Sequence, residues 1–82
     1  MITGHKLNKA KRDSKKSALL AHIIMSMGKY SMDYAMLSRL TGFNKDGLKY
    51  GIQHPENISV ERLDAVLVAI LDYVEKIRNE DF

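Results

Sequence analysis

Apolar residues recur at helical spacing in several separate stretches of the chain. Leu19, Leu20, Ile23, Ile24 and Met27 fall at i, i+1, i+4, i+5 and i+8, which is one stripe of a helix. Ser14 or Ser17 stands where an N-cap is expected, and Gly28 where a left-handed residue would stop that helix. A second helix is expected from about Met32 to Thr41, capped by Ser31 or Asp33. Ala35, Met36, Leu37 and Leu40 supply its buried side, and Gly42 is its stop. Asn44 then caps a third helix, with Phe43 before the cap and Leu48 four residues after it in the two places of a hydrophobic staple. Gly51, His54 and Pro55 are expected to close this element. Ser59 caps the last helix and Glu61 lies in its first turn. From there Leu63, Val66, Leu67, Ile70, Leu71, Val74 and Ile77 continue one stripe towards Arg78. No stretch alternates strictly with β-branched enrichment, so no strand is expected. The pattern predicts an all-α fold, a small bundle of four to five helices.

Upstream of Ser14 the pattern lapses. Residues 1–13 show no sustained apolar period and are expected to form a flexible basic arm, with residues 14–82 as the single folded domain. Charge sharpens this division. Residues 1–16 hold six bases against one acid, Asp13, whereas residues 56–82 hold three bases against seven acids. A basic leading end and an acidic trailing end indicate a molecule with one side turned towards a polyanion.

Composition removes several function classes. With 82 residues and 45% apolar content the chain suits one ordered domain with a small core. It has no cysteine, hence no disulfide framework and no thiolate chemistry. The charged leading end lacks a signal-peptide apolar region, and no run approaches the ~20 apolar residues of a membrane span, so a cytoplasmic protein with no membrane contact is expected. His5, His22 and His54 lack ligand spacing, so no metal and no cofactor is expected. No phosphate-binding glycine loop or Ser/His/Asp set can be assembled, and an enzyme is not expected. The methionines Met25, Met27, Met32 and Met36 cluster at the junction of the first two helices and read as core filler.

The remaining signal is the corner "LSRLTGFNKDGLKYG", residues 37–51. A helix of about ten residues, a glycine turn and a second short helix make up a helix-turn-helix unit. The small Ser38, four residues before Gly42, permits the two helices to cross closely. Together with the following "NISVERLDAVLVAI", the stretch "MLSRLTGFNKDGLKY" resembles the Cro/lambda-repressor-like (XRE) helix-turn-helix family across about Leu19 to Tyr73. It is also similar to helix-turn-helix antitoxins. The family usually opens its second helix with a glutamine that contacts phosphate; here Tyr34 occupies that place. A further departure is Gly47 inside the third helix, which costs about 1 kcal/mol relative to alanine.

The resemblance implies a sequence-specific regulator of transcription that inserts its third helix, about residues 44–51, into the major groove of double-stranded DNA. The simplest form is a repressor of the kind carried by phage and plasmid genomes. Base edges would be read by Asn44, Lys45, Asp46, Lys49 and Tyr50. A lysine can donate to guanine N7 and O6, and Asp46 can accept from cytosine N4. Phosphates would be met by Lys6, Lys9, Lys11, Arg12, Lys15 and Lys16 of the arm, with Tyr34 and Arg39. A homodimer is expected, its interface at Val68 and Tyr73, which lie off the main stripe of the last helix alongside Ala65, Ala69 and Asp72. The alternative is an interaction protein, an antitoxin or an inhibitor of a host protein, which grips a protein partner with its acidic C-terminal helix.

Overall fold

The computed structural model describes the backbone of residues 4–80 and the surroundings of side chains 13–79. Among these residues the fold is all-α. Helices α1 (Gly4–Lys29), α2 (Tyr34–Thr41), α3 (Lys45–Gln53) and α4 (Val60–Glu80) follow one another, with a 3-10 turn at Pro55–Asn57 between the last two. No helix among the described residues is long and apolar enough to cross a membrane.

One core joins the elements. Leu19 and Ile23 of α1, Leu37 of α2, Leu48 and Ile52 of α3, and Leu63, Val66, Leu67, Ile70 and Val74 of α4 are buried together with the loop residues Met32 and Ile58. Helix α4 is the central element, since α1 and α2 both pack against it, while α3 packs on α2. Local chemistry sets the ends. The side chain of Asp33 accepts the Met36 N–H at 2.8 Å and caps α2. That of Asn44 accepts the Gly47 N–H at 3.0 Å and caps α3. Ser59 Oγ accepts the Arg62 N–H at 3.1 Å and caps α4.

Several expectations are corrected. Helix α1 starts at Gly4, ten residues before the nearest expected cap, Ser14. The apolar stripe marks where burial starts, at Leu19, and not where helical backbone starts. Lysine, arginine, alanine and leucine are good helix formers, and turns added to a packed helix need no new nucleus. Residues 1–3 of the expected arm lie outside the described residues. Gly28 does not stop α1: it lies inside the helix, and Ser31 takes the left-handed conformation at φ 53° two residues after its end. Gly51 does not end α3 either. It is buried within the helix, which runs on to Gln53 with His54 as its C-cap.

On α2, Ala35 is exposed, because it lies about 200° around the helix from the buried Leu37 at ~100° per residue. Leu71, placed on the buried stripe of α4, is exposed at its margin, and Met25 on α1 is 72% exposed instead of filling the core.

Candidate nucleic-acid interface

The corner between α2 and α3 is fixed by its own hydrogen bonds. Gly42 adopts φ 78°, and its N–H closes on the Ser38 carbonyl at 2.8 Å. Only glycine takes that conformation without strain. Thr41 Oγ1 donates to the Leu37 carbonyl at 2.7 Å and accepts the Phe43 N–H at 3.1 Å. The hydroxyl of Ser38 donates to the Phe43 carbonyl, so the small residue at this crossing also ties the turn. From α4, the Arg62 guanidinium lies over the Phe43 ring, 4.5 Å from its centroid. These bonds and this contact tie the turn to α2 and α4 and set the entry angle of α3.

Helix α3 is two-sided. Leu48, Gly51 and Ile52 face the core, while Lys45, Asp46, Lys49, Tyr50 and Gln53 are exposed. Gly51 permits a close approach to the 3-10 turn. A Cβ there would stand 3.0 Å from Ile58 Cδ1 and 3.1 Å from Ile58 Cβ. The exposed side of α3 is therefore held at a set height above the core by the Ile58 side chain seated on Gly51.

Between the first turns of α2 and α3 runs an open groove of about 290 Å³, lined by Asp33, Tyr34, Ala35, Lys45, Asp46 and Lys49. It brings together four of the residues named from the sequence: Tyr34, Lys45, Asp46 and Lys49. Two helix N-termini open beside it, and each contributes partial positive charge to the two ammonium groups. Asp33 accepts the α2 cap hydrogen bond through Oδ1, and the Asp46 carboxylate is a second acceptor at the groove. Lys45, Asp46 and Lys49 make no side-chain hydrogen bond or ion pair with another described residue. Asp33 and Ala35 were not among the expected site residues. The signal for Asp33 was present, since an N-cap always stands at the mouth of its helix, whereas Ala35 was read as core.

The other named residues separate from this groove. Asn44 is exposed, but its side-chain oxygen is occupied by the cap, so only its Nδ2 is left to donate outward. Tyr50 is 56% exposed and stands one turn further on. Its ring tilts against His54 with centroids 4.7 Å apart, and its hydroxyl accepts from Asn57 Nδ2 at 3.4 Å. Arg39 is exposed in the last turn of α2 and does not line the groove. Lys15 is exposed. Lys16 is half-buried and donates to the Pro55 carbonyl at 3.0 Å, a contact across 39 positions of chain for which the sequence carries no signal. The side chains of Lys6, Lys9, Lys11 and Arg12 lie outside the described residues.

Val68 and Tyr73 line a second groove, of about 350 Å³, between the end of α2 and α4. Leu40, Phe43, Ala65 and Ala69 give it an apolar wall, and Asp72 and Lys76 stand among its lining residues. Among the described residues, no group of three or more potential metal ligands comes together. No protein-family model, no curated protein and no solved structure matches the chain, and what this corner can do is read from its own geometry.

Proposed function

We propose that this protein is a sequence-specific double-stranded DNA-binding regulator of transcription, most simply a repressor that occludes a promoter in the cytoplasm. One observation carries the reading: a short helix rigidly fixed on its core side exposes Lys45, Asp46 and Lys49 without intramolecular partners, beside a groove shared with the N-terminus of α2. A solvated helix face has no need of a fixed corner beneath it. A face that reads donors and acceptors on base edges does, because each bidentate contact is worth about 1–3 kcal/mol only when its geometry is held. Tyr34 and the first turn of α2 are suited to a phosphate at the groove wall, and the basic leading segment adds sequence-independent affinity. A second copy of the chain docking on the apolar groove at Val68 and Tyr73 would place two reading helices on one duplex.

Selection of bound duplexes from a random pool tests the reading. Enrichment of a defined sequence, lost in a Lys45→Ala/Lys49→Ala variant, is the expected result. Recovery of no preferred sequence at low salt, with a host or toxin protein co-purifying through the exposed acidic side of α4, would replace it by the interaction-protein reading.

A further inference from the structure

The packed side of α1 changes character along its length. Leu19, Ile23 and Ser26 are its buried residues, spaced by four and three. The same helical register carried backwards passes through Lys16, Arg12, Lys9 and His5. One register of one helix is thus buried from Leu19 to Ser26 and carries the bases Lys16, Arg12 and Lys9 upstream. Lys16 marks the boundary, where its ammonium meets the carbonyl of Pro55, two residues after the last residue of α3. Upstream of Lys16 the helix continues for twelve residues, Gly4–Lys15, a length of about 18 Å. None of the described residues from Asp13 to Ala18 is buried, so α1 leaves the packed core upstream of Leu19, beside the C-terminal end of α3 where Lys16 meets Pro55.

This upstream segment is a poor helix to leave in water. Lys6/Lys9, Lys9/Arg12, Arg12/Lys15, Lys11/Lys15 and Arg12/Lys16 are like-charge pairs at i, i+3 or i, i+4, against which Asp13 offers one partner to Lys9 and one to Lys16. Each like pair destabilises an isolated helix by about 0.2–0.5 kcal/mol. A polyanion lying alongside removes that repulsion. Leu7 is the only large apolar residue from Gly4 to Ser17, which gives a lipid surface no face to take up.

We infer that residues 4–16 are a rigid helical outrigger that lays its basic stripe on backbone phosphates of duplex DNA, outside the base pairs read by α3 and on the side of its C-terminal end. The inference rests on the DNA-binding reading and adds to it a second site, with a position and a mechanical requirement: the helix must be continuous with α1. Two variants separate charge from continuity. Lys9→Gln/Arg12→Gln removes two cations from the stripe. Ser14→Pro keeps every charge but removes the N–H donated to residue 10 and breaks the helix, five residues before the core begins.

Fluorescence anisotropy on the selected site, with and without ten flanking base pairs, reads the effect, and the thermal melt of each variant checks that the core is intact. On the flanked duplex the double variant should lower the slope of log affinity against log salt by about 1.8, which is roughly a 30-fold loss at 0.15 M salt. Ser14→Pro should lose a comparable factor, and both should bind the unflanked duplex nearly as wild type does. Wild-type affinity for the flanked duplex in either variant overturns the inference; in Ser14→Pro it would mean that the segment works as a flexible chain. Vesicles containing phosphatidylserine provide the lipid comparison. Loss of binding there, with DNA affinity unchanged, also overturns it. The DNA-binding reading fails separately, when the wild-type chain shows no duplex preference and Lys45→Ala/Lys49→Ala changes nothing.

Discussion

Two glycines one turn apart in α3 should respond to alanine with opposite signs. Both replacements gain the same intrinsic term, about 1 kcal/mol for alanine over glycine in a helix interior. They differ only in what the new methyl meets. At Gly47 the nearest atoms are Asn44 Cβ at 3.7 Å and Asn44 Oδ1 at 3.9 Å, ordinary contact distances. Gly47→Ala should therefore stabilise the protein by about 0.5–1 kcal/mol. At Gly51 the methyl would stand 3.0, 3.1 and 3.4 Å from Cδ1, Cβ and Cγ1 of Ile58. The Cβ cannot swing away as the end of a flexible chain can, so the 3-10 turn must shift from α3. Overpacking of this kind costs about 1–3 kcal/mol, which outweighs the propensity gain and leaves a net loss of up to ~2 kcal/mol.

Urea unfolding followed by circular dichroism at 222 nm measures both, and each kcal/mol should move the thermal midpoint by about 4–8 °C in a domain of this size. Ile58→Val removes the 3.0 Å contact and should recover part of the Gly51→Ala loss, with a coupling of at least ~0.5 kcal/mol in the double-mutant cycle. If Gly51→Ala proves as stabilising as Gly47→Ala, Ile58 is not seated on Gly51 and does not set the height of the exposed face of α3.

Three shorter predictions accompany it. Lys45→Ala and Lys49→Ala should each cost about 1–3 kcal/mol on the selected duplex and relax preference at one base pair, leaving the melt unchanged; equal losses on random DNA would demote either residue to a phosphate contact. Asn44→Ala should destabilise the fold by about 0.5–2 kcal/mol through loss of the α3 cap, whereas Asn44→Asp, which can still accept the Gly47 N–H, should not, and a reversed order would remove the cap from the account. Sedimentation at micromolar concentration should give a species of twice the 9.3 kDa chain that Val68→Glu converts to monomer; a single monomeric species in both would dispose of the α4 interface.

What was legible in the sequence was whatever is written locally. Asn44 and Ser59 cap as read, and Asp33 is the one of the two candidates Ser31 and Asp33 that caps α2, because an N-cap needs only its own side chain and an N–H two or three residues on. Gly42 was legible for the same reason, since a left-handed turn between two apolar stripes admits little else. Features decided by distant partners were not. Gly51 looks like a stop because glycine serves both as helix terminator and as a site of close approach, and Ile58 decides between them only after folding. The Lys16–Pro55 contact likewise depends on how α1 passes the end of α3. The start of α1 was missed for a different reason. Periodicity reports burial, and a helix that runs past the body it packs on has none to report. In the groove between α2 and α3, Lys45, Asp46 and Lys49 were legible as the polar side of an amphipathic helix. The opposing wall at Asp33 and Ala35 required the angle between two helices, which no local pattern states.

The separation of duties within α3 bears most directly on function. Position comes from Leu48, Gly51 and Ile52 on one side, from the hydrogen-bonded turn, and from Arg62 stacked on Phe43. None of these is an exposed groove residue. Among the described residues Lys45 and Lys49 have no hydrogen-bond or ion-pair partner to lose, so replacing either should stay within about 0.5 kcal/mol of wild-type stability, whereas Asp46 in the first turn of α3 favours the helix N-terminus by about 0.3–1 kcal/mol. The two lysines can therefore be exchanged with little effect on folding, while the corner beneath them cannot be altered without moving Lys45, Asp46 and Lys49 at once. If the proposed DNA-binding function holds, exposed substitutions on α3 should rewrite the base preference. On that reading the protein's affinity would be adjusted elsewhere, by the charges that residues 4–16 of α1 carry.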